Sequence, residues 1–303
     1  MEIVKDPISL KTVLNEVRGK NLVVGFVPTM GFLHAGHGSL IETAKVDTDF
    51  VVVSIFVNPT QFAKGEDLEK YPRDLKSDIE YLETLSVDLL FVPEAEYLYG
   101  QNNEHSTTVS VSAINKVLDG AFRPTHFDGV TTIVAKLLNI VGSCRCFMGM
   151  KDAQQVSIVY RMVRELFMDA TIVPCPIIRE VSNLAMSSRN TYLSDSEREQ
   201  AKSIFTALNH IGTELEHGNK DIDALLNDGM SILIRDNLEV QYIQLIEFES
   251  LKEARELKEG QYVLAIAVVC GTTRLIDNFF VHVGMDNSIY IDRGKVFESS
   301  GDE

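Results

Sequence analysis

Leu10, Val13, Leu14 and Val17 recur at helical spacing, and the run 21–27 (N-L-V-V-G-F-V) that follows is short and continuously apolar. Periodicity of the first kind predicts an amphipathic helix; a short unbroken apolar run predicts a strand buried on both faces of a parallel sheet. The alternation then repeats. Residues 39–46 have a helical pattern, and 50–57 (F-V-V-V-S-I-F-V) form a second buried strand. Leu75, Ile79, Leu82 and Leu85 mark a helix, and 87–93 a third strand. Val130, Ile133, Val134, Leu137, Leu138 and Val141 give the cleanest amphipathic helix, C-R-C-F-M-G a short strand, Val156, Val159, Met162, Val163 and Leu166 another helix, and 170–178 a last strand. Strands alternating with helices predict an α/β domain over 1–177, with a parallel sheet covered on both faces.

Beyond residue 178 the rhythm changes. Ser194-Asp195-Ser196-Glu197 has the form of a capping box and predicts a long polar helix ending near Gly218. A second helix is expected over 221–236, then strands over 239–246, 262–270 and 273–282. Helices followed by strands suggest a small α+β domain over 178–283. Residues 284–303 lose apolar periodicity and are expected to be a loosely attached tail.

Charge narrows the partners. The chain has 303 residues, with 28 Lys and Arg against 44 Asp and Glu, a formal net charge of −16. That balance argues against a nucleic-acid partner, which needs a basic footprint, and against docking on an anionic membrane. A small anionic ligand in a cleft is still allowed. The N-terminus has no basic and apolar leader pattern, and no apolar run approaches the ~20 residues of a membrane span. Cys144, Cys146, Cys175 and Cys270 form no C-x-x-C pair, so reduced thiols and a cytoplasmic location are expected.

The stretch Val27–Leu40, V-P-T-M-G-F-L-H-A-G-H-G-S-L, directly follows the first buried strand. In an open parallel sheet, ligands bind beyond the carboxyl ends of the strands. Pro28 and Gly31 shape a turn there, and Gly36 and Gly38 let backbone approach a ligand closely. A helix starting at this point would offer backbone N–H groups and its positive dipole end, which suits a phosphate. His34 and His37 lie one helical turn apart. Phosphate binding, metal ligation and plain surface exposure are the three readings of that pair. Zinc lacks support, since no H-E-x-x-H is present and neither histidine has a Cys or carboxylate at ligand spacing. The Walker loop and the third glycine of a dinucleotide fingerprint are also missing.

Three more clusters sit at comparable places. In M-G-M-K-D-A-Q-Q, Lys151 could reach a phosphate, Asp152 could cap a helix or accept from a ribose hydroxyl, and Gln155 follows on the same face. In A-M-S-S-R-N, two hydroxyls and a guanidinium could clamp phosphate. In V-N-P-T-Q-F, Asn58 and Gln61 could orient a substrate carboxylate or hydroxyl, although Asn58-Pro59 alone reads as a turn.

Taken in order, P-T-M-G-F-L-H-A-G-H, V-S-I-F-V-N-P-T-Q-F, E-D-L-E-K-Y-P-R, R-P-T-H-F-D-G-V, K-D-A-Q-Q, M-S-S-R-N and G-T-T-R-L-I-D-N resemble the pantothenate synthetase (pantoate–β-alanine ligase) family over about residues 5–283. The His-x-Gly-His element is similar to the H-I-G-H signature of the nucleotidyltransferase superfamily. The resemblance implies a Rossmann-type domain followed by a smaller lid-like domain. It implies condensation of (R)-pantoate with β-alanine through a pantoyl adenylate, with ATP as substrate, Mg²⁺ and a homodimer. It also implies roles. Met30, Gly31, Phe32, Leu33, His34, Ala35, Gly36 and His37 line the ATP site, with His37 as proton donor. Gly149, Met150, Lys151, Asp152, Ile178, Met186, Ser187, Ser188 and Arg189 complete it. His34, His37 and Lys151 are the expected catalytic donors. Gln61 and Gln155 hold pantoate, Gln61 also borders the β-alanine position, Asn58 joins them as a substrate-binding residue, and Asp78 is the acidic residue near the metal.

Four positions depart from the family pattern. Ala35 stands where an acidic residue is usual, Gly38 where leucine is typical, Met150 where the residue is usually polar, and Thr125 in place of the glycine of R-P-G-H-F. Two other functions remain on the sequence: a nucleotidyltransferase that stops at a nucleotidyl product, and a nucleotide-binding regulator without turnover. The amide-bearing segments speak against the first, and the intact His34, His37, Lys151 and Ser187–Arg189 against the second.

Overall fold

The structure is a computed structural model that describes residues 1–63, 66, 68–101 and 107–297. Asp67 of the E-D-L-E-K-Y-P-R motif and tail residues 298–303 lie outside the described residues. The chain divides into two compact units: Met1–Gly149 with Ile158–Cys175, and Met150–Ser157 with the chain from Pro176 onward. The short stretch Met150–Ser157, which belongs to the first domain in the sequence-based division, therefore sides with the second unit.

The first unit is the expected α/β layer structure. Its elements run β1 (Glu2–Val4), α1 (Pro7–Gly19), β2 (Val24–Thr29), α2 (Ala35–Asp47), β3 (Phe50–Ile55), α3 (Leu75–Thr84), β4 (Leu89–Phe91), α4 (Ala95–Tyr99), α5 (Asp119–Phe122), α6 (His126–Val141), β5 (Cys144–Gly149), α7 (Ala153–Glu165), of which residues 158–165 belong to this unit, and β6 (Ala170–Cys175). The six strands form one parallel sheet in the order β1-β4-β3-β2-β5-β6. Val27, Val51, Val53, Ile55, Leu90 and Phe147 pack with Leu40, Ile41, Ala44 and Leu82 of α2 and α3 in one buried cluster. Val52 and Phe26 are also fully buried, at alternate positions of the same strands.

Local chemistry sets the boundaries. Asp6 caps α1, its Oδ1 accepting from Ile8 N at 3.0 Å and Ser9 N at 2.9 Å, with Pro7 at the first helical position. Asn21, at φ +60°, gives its N–H to Arg18 O and closes the helix, so β2 starts three residues later than the apolar run. β2 runs on through Pro28 because its pairing with β5 is confined to Gly25 and Phe26. A residue with no N–H is tolerated past the end of that ladder.

The second unit contains β7 (Ile178–Arg179), α8 (Asp195–Glu216), α9 (Ile222–Arg235), β8 (Glu239–Glu247), β9 (Gly260–Cys270), β10 (Thr273–Val283), β11 (Ile289–Asp292) and β12 (Lys295–Val296). β11-β10-β9-β8 form an antiparallel sheet, and β12 pairs with β7. The Ser194–Glu197 capping box opens α8 as the sequence predicts. Ile204, Leu208, Ile211 and Leu215 of α8 and Leu225 and Leu233 of α9 pack on Leu264, Ile266, Val268, Phe279 and Val281. Residues 284–297 are not a loose tail, since they form β11 and β12. Among the described residues no helix is long and apolar enough to cross a membrane.

Candidate active site

In the first unit the strand order reverses at β2. Its successors β3 and β4 lie on one side and β5 on the other, so β2 and β5 flank the switch point of the sheet. Crevices that accept ligands open at the carboxyl ends of such strands. β2 ends at Thr29 and β5 at Gly149.

The loop after β2 is held in an unusual conformation. Gly31 and Phe32 both lie in the left-handed region, at φ +81° and +52°. A side chain at Gly31 would meet Asp78 Oδ2 at 2.9 Å and Ile55 Cγ2 at 3.0 Å, so only glycine fits. For Phe32 such a backbone costs about 1–3 kcal/mol in steric strain. What holds it there is Asp78, buried on α3: Phe32 N donates to Oδ2 at 2.9 Å and Leu33 N to Oδ1 at 2.7 Å. Both carboxylate oxygens thus clamp the loop that leads to His34.

His34 is the N-cap of α2, and the cap is made of imidazoles. Gly36 N donates to His34 Nδ1 at 3.1 Å, and His34 N donates to His37 Nδ1 at 3.3 Å. The two ring centroids are 4.2 Å apart. A ring whose Nδ1 accepts a hydrogen bond carries its proton on Nε2. The cap therefore fixes one tautomer for both rings and makes both Nε2 atoms donors. Gly38, at the start of α2, also has a physical reading. A Cβ at Gly38 would run into the Tyr81 hydroxyl, so the tyrosine occupies the space a larger residue would need.

Gln61 is oriented by a relay of side chains. Gly129 O, a carbonyl, can only accept, and Asn58 Nδ2 donates to it at 3.1 Å. Asn58 Oδ1 is then the acceptor for Tyr99 OH at 2.6 Å and Thr60 Oγ1 at 3.0 Å. Asn58 Nδ2 also donates to Gln61 Oε1 at 3.2 Å. Gln61 is left presenting Nε2, which lies 2.8 Å from Met30 Sδ, a weak acceptor that a ligand oxygen would displace. Asn58 is accordingly a buried network residue, not merely a turn former. The Gln61 carbonyl is anchored separately. His126 Nδ1 lies 2.8 Å from it and Arg123 Nη1 lies 3.1 Å from His126 Nε2. An arginine can only donate, so Nε2 accepts and Nδ1–H donates. Burial, then the charge of Arg123, push the His126 imidazole down to about 4 and keep it neutral. Arg123 is locked by a bidentate pair with Glu66, at 2.8 and 2.7 Å.

The second unit carries the other candidates. Met150, Lys151 and Asp152 form a 3₁₀ turn, with Lys151 Nζ 3.8 Å from Asp152 Oδ1. The turn is fastened by Asn278, whose Nδ2 donates to Met150 O and Lys151 O, both at 2.9 Å. The preceding residue, Asp277, points to the other face of β10 as the pleat requires. It pairs bidentately with Arg179, at 2.6 and 3.0 Å, and this pair is buried. Arg179 also donates to Asn183 O, Asn278 O and Arg293 O, so its five N–H groups all have acceptors. Its neighbour Ile178 accepts from Met186 N at 2.9 Å, the first residue of M-S-S-R-N. Ser187 Oγ accepts from Arg189 N at 3.3 Å and caps the short helix Ser188–Tyr192.

Each unit thus gathers its own set: Met30–His37, Asn58, Gln61, Asp78 and Gly149 in the first, and Met150, Lys151, Asp152, Gln155, Ile178 and Met186–Arg189 in the second. Gln155 is half-buried on α7. The supporting residues Tyr99, Arg123, His126, Arg179, Asp277 and Asn278 are not singled out by sequence reasoning. For four of them the signal was present, as R-P-T-H-F and R-L-I-D-N already stand among the quoted motifs. No group of three or more His, Cys, Asp or Glu side chains among the described residues could cage a metal ion. Mg²⁺ does not require such a cage, because it commonly binds through one or two carboxylates plus substrate phosphates.

The sequence profile described as Pantoate-beta-alanine ligase matches residues 2–280. The pantothenate synthetase of Thermosipho melanesiensis is 45% identical over 281 residues, covering 93% of this chain and 99% of its own length. That of Thermodesulfovibrio yellowstonii is 46% identical over 284 residues, covering 93% and 100%. Among solved structures, pantothenate synthetase from Thermus thermophilus superposes with a TM-score of 0.85 at 38% identity, covering 92% of this chain and 98% of that one. Pantoate-beta-alanine ligase from Francisella tularensis, complexed with beta-gamma ATP and beta-alanine, gives 0.75 at 36% identity, covering 92% and 97%. A profile match over nearly the whole length, on a sheet whose switch point carries the His-x-Gly-His cap, places this chain in the pantoate–β-alanine ligase family.

Proposed function

We propose that the protein condenses (R)-pantoate with β-alanine, driven by ATP, in two steps. A pantoate carboxylate oxygen attacks the α-phosphorus, the bond to the β-phosphate oxygen breaks, and pyrophosphate leaves. The β-alanine amine then attacks the acyl carbon of pantoyl adenylate, loses a proton, and expels AMP to give pantothenate. Negative charge builds on the α-phosphate oxygens in the first step. Preorganised donors aimed at that charge are the main catalytic lever.

The observation that carries this reading is the double-imidazole cap of α2. It turns His34 and His37 into two Nε2–H donors at a helix N-terminus beside the switch point. His37 is the proton donor in this assignment, and Lys151 adds a positive charge. Gln61, held with its NH₂ outward by Asn58, donates to pantoate oxygens, and Gln155 is the second pantoate contact. Gly149 supports close approach of the nucleotide: a Cβ built on it meets nothing within 4 Å, so no protein packing requires glycine there. Met186–Arg189 and the Ile178 backbone complete the ATP contacts.

Mg²⁺ bound to the triphosphate would supply neutralisation of its charge, held through the phosphates and at most one or two carboxylates. Asp78 is the acidic group assigned near it, but each of its oxygens already accepts a backbone N–H, so its main action is on the loop. We assign the working form as a cytoplasmic homodimer that binds neither nucleic acid nor membrane. The acidic balance supports the last point, and four buried free thiols support a reducing compartment.

The test is ATP–pyrophosphate exchange. Exchange must depend on pantoate, and adding β-alanine must yield AMP and pantothenate in equal amounts. Exchange without pantoate, or only with another acid, would remove the substrate assignment. Light scattering checks the dimer.

A further inference from the structure

The stretch after Val283 lies beyond the family profile, which ends at residue 280. The relatives align over 93% of this chain while covering 99–100% of themselves, so they leave part of it unmatched. Yet residues 284–297 are built into the second unit at five points. A turn closed by Gly284 N to Ser288 O, 2.9 Å, returns the chain as β11 against β10, with Val283 opposite Ile289 and Phe280 opposite Asp292. Ile291 is buried in the core under α8. Arg293 then grips α8, donating to Asn209 Oδ1 at 2.9 Å and bidentately to Glu216 at 3.0 and 2.6 Å. Gly294, at φ +79°, turns the chain so closely past Ile177 that a Cβ would lie 2.5 Å from Ile177 O. Last, β12 lies parallel to β7, with Lys295 N donating to Ile177 O at 2.7 Å and Phe297 N to Arg179 O at 2.8 Å.

The last two contacts fall on the strand that matters. β7 holds Ile178, whose carbonyl accepts from Met186 N at 2.9 Å. Arg179 N–Hε donates to Arg293 O at 2.5 Å, which supplies the acceptor its buried guanidinium would otherwise lack. A buried arginine short of one acceptor is costly, and a two-residue strand has little stability of its own. β12 on one edge and Ala185–Met186 on the other therefore bracket β7.

We propose that residues 284–297 are a strap that positions the Ile178–Arg179 strand, and through it the Met186–Arg189 loop, for nucleotide binding. The inference rests on the assignment of Ile178 and Met186–Arg189 to ATP. Positioning through β7 bears on ATP and not on the amide contacts to pantoate, so kinetic constants separate it from a purely structural role.

Two variants test it. One is a chain ended after Val283. The other is Lys295→Pro, which removes the N–H given to Ile177 O and sets the proline ring against that oxygen, while keeping β11, Ile291 and Arg293. Both are expected to raise KM for ATP about tenfold or more, equivalent to about 1.4 kcal/mol. KM for β-alanine and kcat at saturating ATP are expected to stay within twofold. Should the shortened chain fail to fold, Lys295→Pro decides. KM for ATP within twofold of the parent, or an equal loss in every constant, overturns the proposal. Amide hydrogen exchange over 177–190 separates the two layers of the argument. Faster exchange in Lys295→Pro, measured without substrates, supports the strap even if the ATP assignment failed. Unchanged exchange sinks the strap and leaves the substrate reading intact.

Discussion

Asp78→Asn is a nearly isosteric change with a calculable effect. The carboxylate accepts two backbone N–H groups, at 2.9 and 2.7 Å, from consecutive residues of a loop bent into the left-handed region. An amide at 78 keeps one acceptor and turns its NH₂ toward the other N–H. One charge-assisted bond worth about 1.5–3 kcal/mol is lost, and a half-buried donor is left facing a donor, at about 1–3 kcal/mol. Partial relaxation of Phe32 toward negative φ returns some of this. A net loss of about 3 kcal/mol is expected, and at about 2–4 °C per kcal/mol for a unit of this size the melting temperature should fall by about 6–12 °C. The fall should be the same with and without Mg²⁺, and the Mg²⁺ concentration for half-maximal exchange should change less than about threefold. Differential scanning calorimetry and a Mg²⁺ titration of the exchange rate measure both. A variant that melts within about 1 °C of the parent while needing about tenfold more Mg²⁺ would refute the clamp and make Asp78 a metal ligand instead.

Three further outcomes are expected. His37→Asn keeps an acceptor for His34 N but has no donor at the Nε2 position; it should fold with near-parental stability and lose about 10²–10³ in pantoate-dependent exchange. Gly149→Ala places a methyl group in open space, so thermal stability should hold or rise slightly while KM for ATP increases; an unchanged KM would mean that no ligand passes there. His126 is held neutral with its pKa down at about 4, against 6.5 unfolded, so the unfolded chain binds the extra proton across that interval. Stability supplied by neutral His126 is complete above about pH 6.5 and drains as pH falls toward 4, by about 3 kcal/mol in all. Denaturant midpoints of the parent and His126→Asn should converge over that window, and parallel midpoint curves would count against it.

The periodic part of this fold was legible because burial repeats. Leu10 to Val17, Val130 to Val141 and the three apolar strands stand where their spacing predicts, to within a few residues. Strand ends were less legible, since they depend on single residues: the positive φ of Asn21 delays β2, and Pro176 separates β7 from β6. The histidine pair was readable as a pair, because one helical turn puts both rings together. Its tautomer was not, since that depends on which nitrogen accepts a backbone N–H. The fastening network left no periodic trace at all. Asn278 holds carbonyls of Met150 and Lys151 that lie far away in the chain, and Asp78 reaches back to Phe32 and Leu33. The segment after Val283 shows a different failure. Its strands are so short, and so dependent on Gly294 and Arg293, that no hydrophobic rhythm could announce them.

The glycine at 38 and the tyrosine at 81 cannot be exchanged independently. Leucine at 38 collides with the phenol unless position 81 has first become smaller, and a smaller residue at 81 leaves a void over a helix start that glycine already weakens. Each single step is expected to lower stability, because one crowds the phenol and the other leaves a void. Alanine at 38 and a smaller residue at 81 should therefore be less damaging together than the two single changes added, which a double-mutant cycle on thermal stability would measure.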